Sequence, residues 1–472
     1  MRFLFIVVAV ALAYPINGQT CNCESNFAWV KKTFEENDAG FQYIIDKKGQ
    51  AAYDLHNQMM LEKVKAAKTL TECSELLREW STFFRSGHFQ IQLLTQEQNM
   101  SQTPNATGTD TWKVDIPQFE KYISTKKEVD YEGIWDSGGM YKIGIEKEGT
   151  NYIGFIIESD VEGWREPGQV KLKIEQDGDK LKSTYFMRNH SLVESGEPEL
   201  MGNNYLRISG QSLKRLSPVF SEDPLHEHYL KSINATNPFL EELNATTLYL
   251  RIPSFDSNYK PAIDKMLADN KDKILKTENL IIDLRNNGGG DDISYDELIP
   301  FFYTNPIRIV AMEYLSTVLN NQPYVDMLSN PDISENSRQN IKILQDRLGE
   351  FVNPSGRDIH IEQHDVVYEY PKNVGIIINK GCASTTEQLL LAAKQSKKVK
   401  LFGTTTFGAL DISNMRHAES PCKEFLLMYC ISRSLRIPDM AIDDIGIQPD
   451  YFLDKTIPQY KWVEYVNEIL NQ

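Results

Sequence analysis

The chain has 472 residues, of which 41% are hydrophobic and 25% charged, and a formal net charge of -16. At roughly 150 residues per domain, that length predicts two or three domains rather than one core. The acidic balance repels polyanions and argues against a nucleic-acid partner.

The first segment carries one basic residue, Arg2, then an apolar run from Phe3 to Ala13 and a turn-forming stretch ending at Gly18. This pattern predicts a secretory signal over residues 1–18, cleaved after Gly18, and a secreted or periplasmic mature protein. The run falls short of the ~20 apolar residues of a spanning helix, and no later segment reaches that length, so no membrane span is expected. The six cysteines, Cys21, Cys23, Cys73, Cys382, Cys422 and Cys430, suit an exported chain with disulfides. Cys422 and Cys430 read either as a bridge across a tight hairpin or as two reduced, buried thiols. No CxxC pair or histidine cluster has metal-ligand spacing, so neither metal nor cofactor is expected. Five N-x-[ST] sequons, at Asn99, Asn105, Asn189, Asn234 and Asn244, would be glycosylation sites in an exported eukaryotic chain.

Residues 19–95 read as an N-terminal helical element, clearest where Cys73, Leu76, Leu77, Trp80, Phe83 and Phe84 recur at three- and four-residue steps. Gly87 reads as the glycine that ends this helix, with His88 directly after it. Residues 96–130, opening on a stretch rich in Gln, Ser, Thr and Asn, read as a linker. Over 131–215 short alternating runs such as MYKIGIEK and NYIGFIIES predict a small β-rich barrel or sandwich. From 216 to 472 strands and helices alternate, which predicts an α/β sheet covered on both faces. Its elements are the strands TLYLRI, NLIIDL and VGIIIN, a helix over 259–275, and a polar helical insertion over 314–348 expected to cover the cleft between the active strand ends.

The carboxyl ends of such strands are where ligands sit, and two of them carry small, flexible residues. In the first, Gly288, Gly289 and Gly290 form a tight turn or an anion loop. Asp291 and Asp292 beside them argue against phosphate. In the second, Ser384 begins a helix, where STTE is also an ordinary capping box with Glu387 reaching back.

These segments resemble, in order, the signatures of the tail-specific (C-terminal processing) serine peptidases. DLRNNGGG at 283–290 is similar to their DLRxNxGG, and NKGCASTTEQ at 379–388 to the segment bearing their nucleophile. LYLRIPSF precedes the first as their usual strand does. LFGTTTFGA resembles the GxxTxG turn, GIQPDYFL the closing GVxPD, and SGHF at 86–89 an N-terminal GHT element. The resemblance implies an α/β (ClpP/crotonase-like) peptidase domain and an acyl-enzyme mechanism on a peptide or unfolded protein. It makes Ser384 the nucleophile, and Gly289, with Gly288 as alternative, and Thr385 the oxyanion-hole donors. Asp283 and Arg285 would be structural, with Arg285 holding the glycine loop through a buried ion pair.

The Ser-Lys branch carries a lysine where this chain has Ala409. The tricorn-core and interphotoreceptor retinoid-binding-protein-like branch is the better likeness, because it takes its base from the N-terminal element, here His88. His88 reads otherwise as a cap on the preceding helix, and His417 is the competing base. By the same resemblance Asp443, or its neighbour Asp444, supports the base where the family usually has glutamate, and Ser86 is a further candidate to orient the imidazole. The PDZ domain of common members is not recognisable, and the β-rich segment stands in its place. Retinoid-binding relatives keep open a second reading, an inactive binding protein on the same scaffold.

Overall fold

The computed structural model describes residues 21–94 and 110–472, so the segment read as a signal, and Asn99 and Asn105, lie outside the described residues. The chain divides into two compact units, one formed by residues 1–95, 235–458 and 462–472, the other by 96–234 and 459–461.

The first unit is built on a six-stranded sheet in the order Phe239–Asn244, Thr247–Arg251, Asn279–Asp283, Asn373–Ile378, Val399–Gly403 and Tyr451–Phe452. The first pair is antiparallel and the rest parallel. The central strands read as unbroken apolar runs because both faces are covered. Leu248, Leu250, Leu280, Ile282, Val374 and Ile376 pack with the helices Lys260–Ile274 and Thr385–Ala393. On the other face Tyr249, Ile281, Ile377 and Phe402 meet Trp462, Val463 and Val466 of the C-terminal helix.

A second sheet in the same unit centres on the long strand Phe425–Ser434. Ile412–Glu419 pairs with it on one edge, and Gln90–Leu93 and Met312–Leu315 on the other. Four helices, Cys23–Asn37, Phe41–Lys48, Gln50–Ala66 and Leu70–Ser81, share one core with this strand. Two disulfides fasten them, Cys21–Cys422 and Cys23–Cys73. This corrects the expectation for Cys422 and Cys430. The segment between them runs on as one extended strand instead of folding back, which carries Cys430 into the core as a free thiol while Cys422, in the turn, reaches Cys21. The last helix ends at Ser81, so Gly87 is not its C-terminal glycine; its role is a close approach described below.

The insertion folds as the helices Val318–Asp326 and Glu335–Asp346. It packs on the first helix, where Asn320 donates to the Asn37 carbonyl, and accepts from the Tyr429 hydroxyl.

The second unit is one nine-stranded antiparallel sheet between Gly133 and Ser217, flanked by the helices Ile116–Thr125 and Pro224–Ile233. The sheet is curled around a core containing Trp135, Tyr141, Trp164 and Leu172, and a second, smaller cluster packs its Ile134, Phe155 and Ile157 against Phe119 and Ile123 of the helix Ile116–Thr125. Ser183 and Ser209, near opposite ends of the strand order, bring their hydroxyls to 3.4 Å.

Candidate active site

Ser384 lies where the Asn373–Ile378 strand gives way, through a short turn, to the helix beginning at Thr385. Its backbone has φ 56° and ψ -123°, a conformation that L residues rarely adopt. Such a strained turn between strand and helix thrusts a side chain out into solvent reach. Gly289 makes room for it: a Cβ there would stand 2.9 Å from the Ser384 Cβ and 2.7 Å from the Ala383 carbonyl.

His88 meets the serine from the loop that leads into the strand Gln90–Leu93 of the other sheet. Its Nε2 lies 3.2 Å from Ser384 Oγ, and its Nδ1 is 2.7 Å from the Ile412 carbonyl oxygen. A carbonyl only accepts, so the proton sits on Nδ1 and the Nε2 lone pair faces the hydroxyl. Burial pushes the His88 pKa below 6.5, Arg85 adds to the lowering, and the Ile412 carbonyl and Glu387 oppose it. The imidazole is therefore neutral at pH 7.

Three buried features set the loop carrying His88. Arg85 is clamped by Asp38 through bonds of 2.7 and 2.6 Å, and its guanidinium also donates to the His88 and Gly87 carbonyls. The same Asp38 accepts from the Cys430 amide, which ties the loop to the Phe425–Ser434 strand. Gly87 is pressed against the turn before Ile412, for a Cβ there would meet the Ala409 methyl at 2.6 Å. Ala409 is buried in that contact, so the position that bears lysine in the Ser-Lys branch has no space for one here.

Glu387 does more than reach back to the Ser384 amide, at 3.1 Å. Fully buried, it also accepts from the Thr406 hydroxyl at 2.5 Å and from the Gly408 and Ala409 amides at 2.8 and 2.9 Å. The helix that follows Ser384 and the 404–409 turn are thereby joined. Asp283 is buried as well; burial pushes its carboxyl up, but Arg285 and Arg251 outweigh that and hold it down at about 2. Arg285 bonds it through Nε at 3.0 Å, beneath the glycine loop.

Several residues stand elsewhere than expected. Asp443 is not on His88: it accepts from the amides of Leu410, Asp411 and Ile412 at 2.6, 2.7 and 3.0 Å. Burial and the neighbouring Asp411 push its pKa up to about 6. It holds the peptide segment whose carbonyl holds the imidazole. Asp444 accepts from the Ser86 amide, and the site where a serine would orient the ring is taken by the Ile412 carbonyl. The Gly289 amide is committed to Asn287 Oδ1 at 3.0 Å. The amides of Gly290 and Thr385 have no acceptor among the described residues, and both residues line the cleft with Ser384. Gly288 faces open space. His417 is exposed and does not reach Ser384. The cleft has a volume of about 490 Å³, and none of its lining residues comes from 314–348; Val310 and Met312, just before the insertion, are the nearest contributors in sequence.

Arg85, Asp38 and Asp411 escaped the sequence reading, since a buried ion pair far apart in sequence leaves no local pattern. Glu387 carried a signal, the capping box, that pointed to only one of its four bonds.

Residues 246–453 match the family model "Peptidase family S41". The chain carries a domain of peptidase family S41. The match makes residues 246–453 a serine-type peptidase domain. Among solved structures it is similar to mature CPAF complexed with lactacystin, at 12% identity over 95% of this chain and 97% of that one, with a TM-score of 0.53. Mature CPAF alone aligns at 12% identity over 95% and 96%, with a TM-score of 0.52. At that identity the likeness is one of fold. No curated protein matches the chain. Among the described residues no group of His, Cys, Asp and Glu is arranged to hold a metal, and no helix is long and apolar enough to cross a membrane.

Proposed function

We propose that this S41 chain is an active, exported endopeptidase of peptides and unfolded proteins, with Ser384 as nucleophile and His88 as base. The observation that carries the reading is the neutral imidazole with Nε2 turned to the serine hydroxyl at 3.2 Å. His88 takes the Ser384 proton as Oγ attacks the scissile carbonyl, and the amides of Thr385 and Gly290 receive the oxyanion. The imidazolium then protonates the leaving amine. Water, activated in turn by His88, releases the acyl group. The Ile412 carbonyl keeps the ring's tautomer, and Asp443 positions that carbonyl's peptide segment.

A cleft of about 490 Å³ around Ser384, walled in part by the edge strand Ile412–Glu419, suits an extended chain and so favours peptides and unfolded proteins. A stably folded protein cleaved as fast as its unfolded form would refute that preference. Export is supported by the apolar run after Arg2 and by two disulfides, which persist in oxidising compartments. N-terminal sequencing of secreted material should begin at Gln19.

A fluorophosphonate probe tests the whole reading. It should label the wild-type protein and not Ser384→Ala, and the variant should lose all peptide hydrolysis while melting within a few degrees of the parent. An unlabelled, folded wild type would make the chain a binding protein.

A further inference from the structure

The cleft is lined by two arginines of opposite circumstance. Arg436 is neutralised, with Nε bonded to Asp411 at 2.8 Å. Arg416 has no carboxylate within ion-pair reach among the described residues. Among the described residues its buried Nε has no acceptor, and its one hydrogen bond, to the Met415 carbonyl, is 3.5 Å long. What holds the guanidinium is the face of Tyr324, 4.8 Å away, with Tyr314 edge-on to that ring. A half-buried guanidinium without a counter-ion costs free energy, and an aromatic face compensates only part of it.

Arg416 sits on the strand Ile412–Glu419, which is bonded to Phe425–Ser434 along one edge and has no strand on the other among the described residues. Near the start of that strand the Ile412 carbonyl holds the catalytic imidazole. An extended peptide lying along the free edge would place its side chains at the same pitch as the strand's own. Four residues separate Ile412 from Arg416, roughly 13 Å at the rise of a β-strand. Asp291 and Asp292 line the cleft by the glycine loop, so a negative side chain is repelled there. Selection must therefore depend on position.

We propose that Arg416 is a specificity-determining residue that binds an acidic side chain of the peptide, three to five residues from the scissile bond. This rests on the peptidase reading above. A guanidinium–carboxylate pair of this kind is a charge-assisted, bidentate contact that lysine or a neutral donor does not reproduce.

The test uses internally quenched peptides of one neutral sequence, amidated at the C-terminus, with a single Glu moved through a Gln background. Wild type should show a maximum in kcat/KM, about tenfold or more over the Gln peptide, at one position in that window. Arg416→Gln should lose the maximum, cleaving each Glu peptide no faster than it cleaves the all-Gln peptide, and Arg416→Glu should transfer the maximum to the peptide with Lys there. A flat profile in the wild type, or a maximum that survives in Arg416→Gln, overturns the proposal. So does a gain that appears only when the C-terminus is a free acid, which would assign Arg416 to a terminal carboxylate. The same peptides are titrated against Ser384→Ala by fluorescence anisotropy. If the wild type cleaves none of them but the variant binds the Glu peptide about tenfold more tightly, the peptidase reading fails and the role of Arg416 stands.

Discussion

A single proton decides how His88 works. Burial and Arg85 hold its pKa below the ordinary 6.5, so the neutral, proton-accepting form predominates over a wider pH range than in a free histidine. The kcat/KM of a well-cleaved peptide should rise with pH, with its midpoint below 6.5, and level off by about pH 7. A midpoint above 7 would exclude His88 as the base. The sign for stability follows from the same shift. A depressed histidine pKa contributes stability that is present above about 6.5 and is lost as pH falls through the folded-state value. Ser384 carries the complementary strain, a positive φ on a residue with a side chain, held by Gly289 behind it and by Glu387 on its amide.

At the scale of elements, Glu387 is the junction of the helix that follows Ser384 with the 404–409 turn, through four hydrogen bonds to one buried carboxylate. Each buried donor left without its acceptor costs about 1–3 kcal/mol. Glu387→Gln keeps one accepting oxygen and replaces the other with a donor facing N–H groups. It should lower stability by roughly 2–4 kcal/mol in urea unfolding on that scale. Because Glu387 also favours the charged imidazole, the acid limb of the pH profile should move to lower pH in the same variant. A purely structural loss would lower Tm and leave the limb in place.

On the scale of the whole molecule, both disulfides lie in the first unit, Cys21–Cys422 with a sequence separation of 401 and Cys23–Cys73 with 50. In the chain-entropy account a bridge closing a long loop restrains the unfolded chain most, and native bridges contribute about 2–5 kcal/mol. Reduction, or Cys21→Ser with Cys422→Ser, should therefore lower the melting transition of the first unit. The transition of the β-rich unit should not move in calorimetry. A shift of both transitions together would mean that the units unfold as one.

The order of the S41 motifs, the α/β class and the two strand ends around Ser384 were legible in the sequence, because each rests on local apolar patterning or on a contiguous signature. His88 was legible as a histidine beside Gly87 once Ala409 removed the lysine. The reason for that glycine was not legible, since it is pressed on Ala409, over three hundred residues away, and ends no helix. Hydrogen-bond ownership was equally hidden. The Gly289 amide goes to Asn287 and the Asp443 carboxylate to the 410–412 backbone, which leaves the Gly290 amide facing the cleft and the Ile412 carbonyl on His88. Cys422 could be matched with Cys21 only in three dimensions, because the strand from Phe425 to Ser434 carries its nearer neighbour Cys430 into the core. Patterning along the chain determines which elements form. Which buried donor meets which acceptor depends on how those elements pack, and only the tertiary structure decides that.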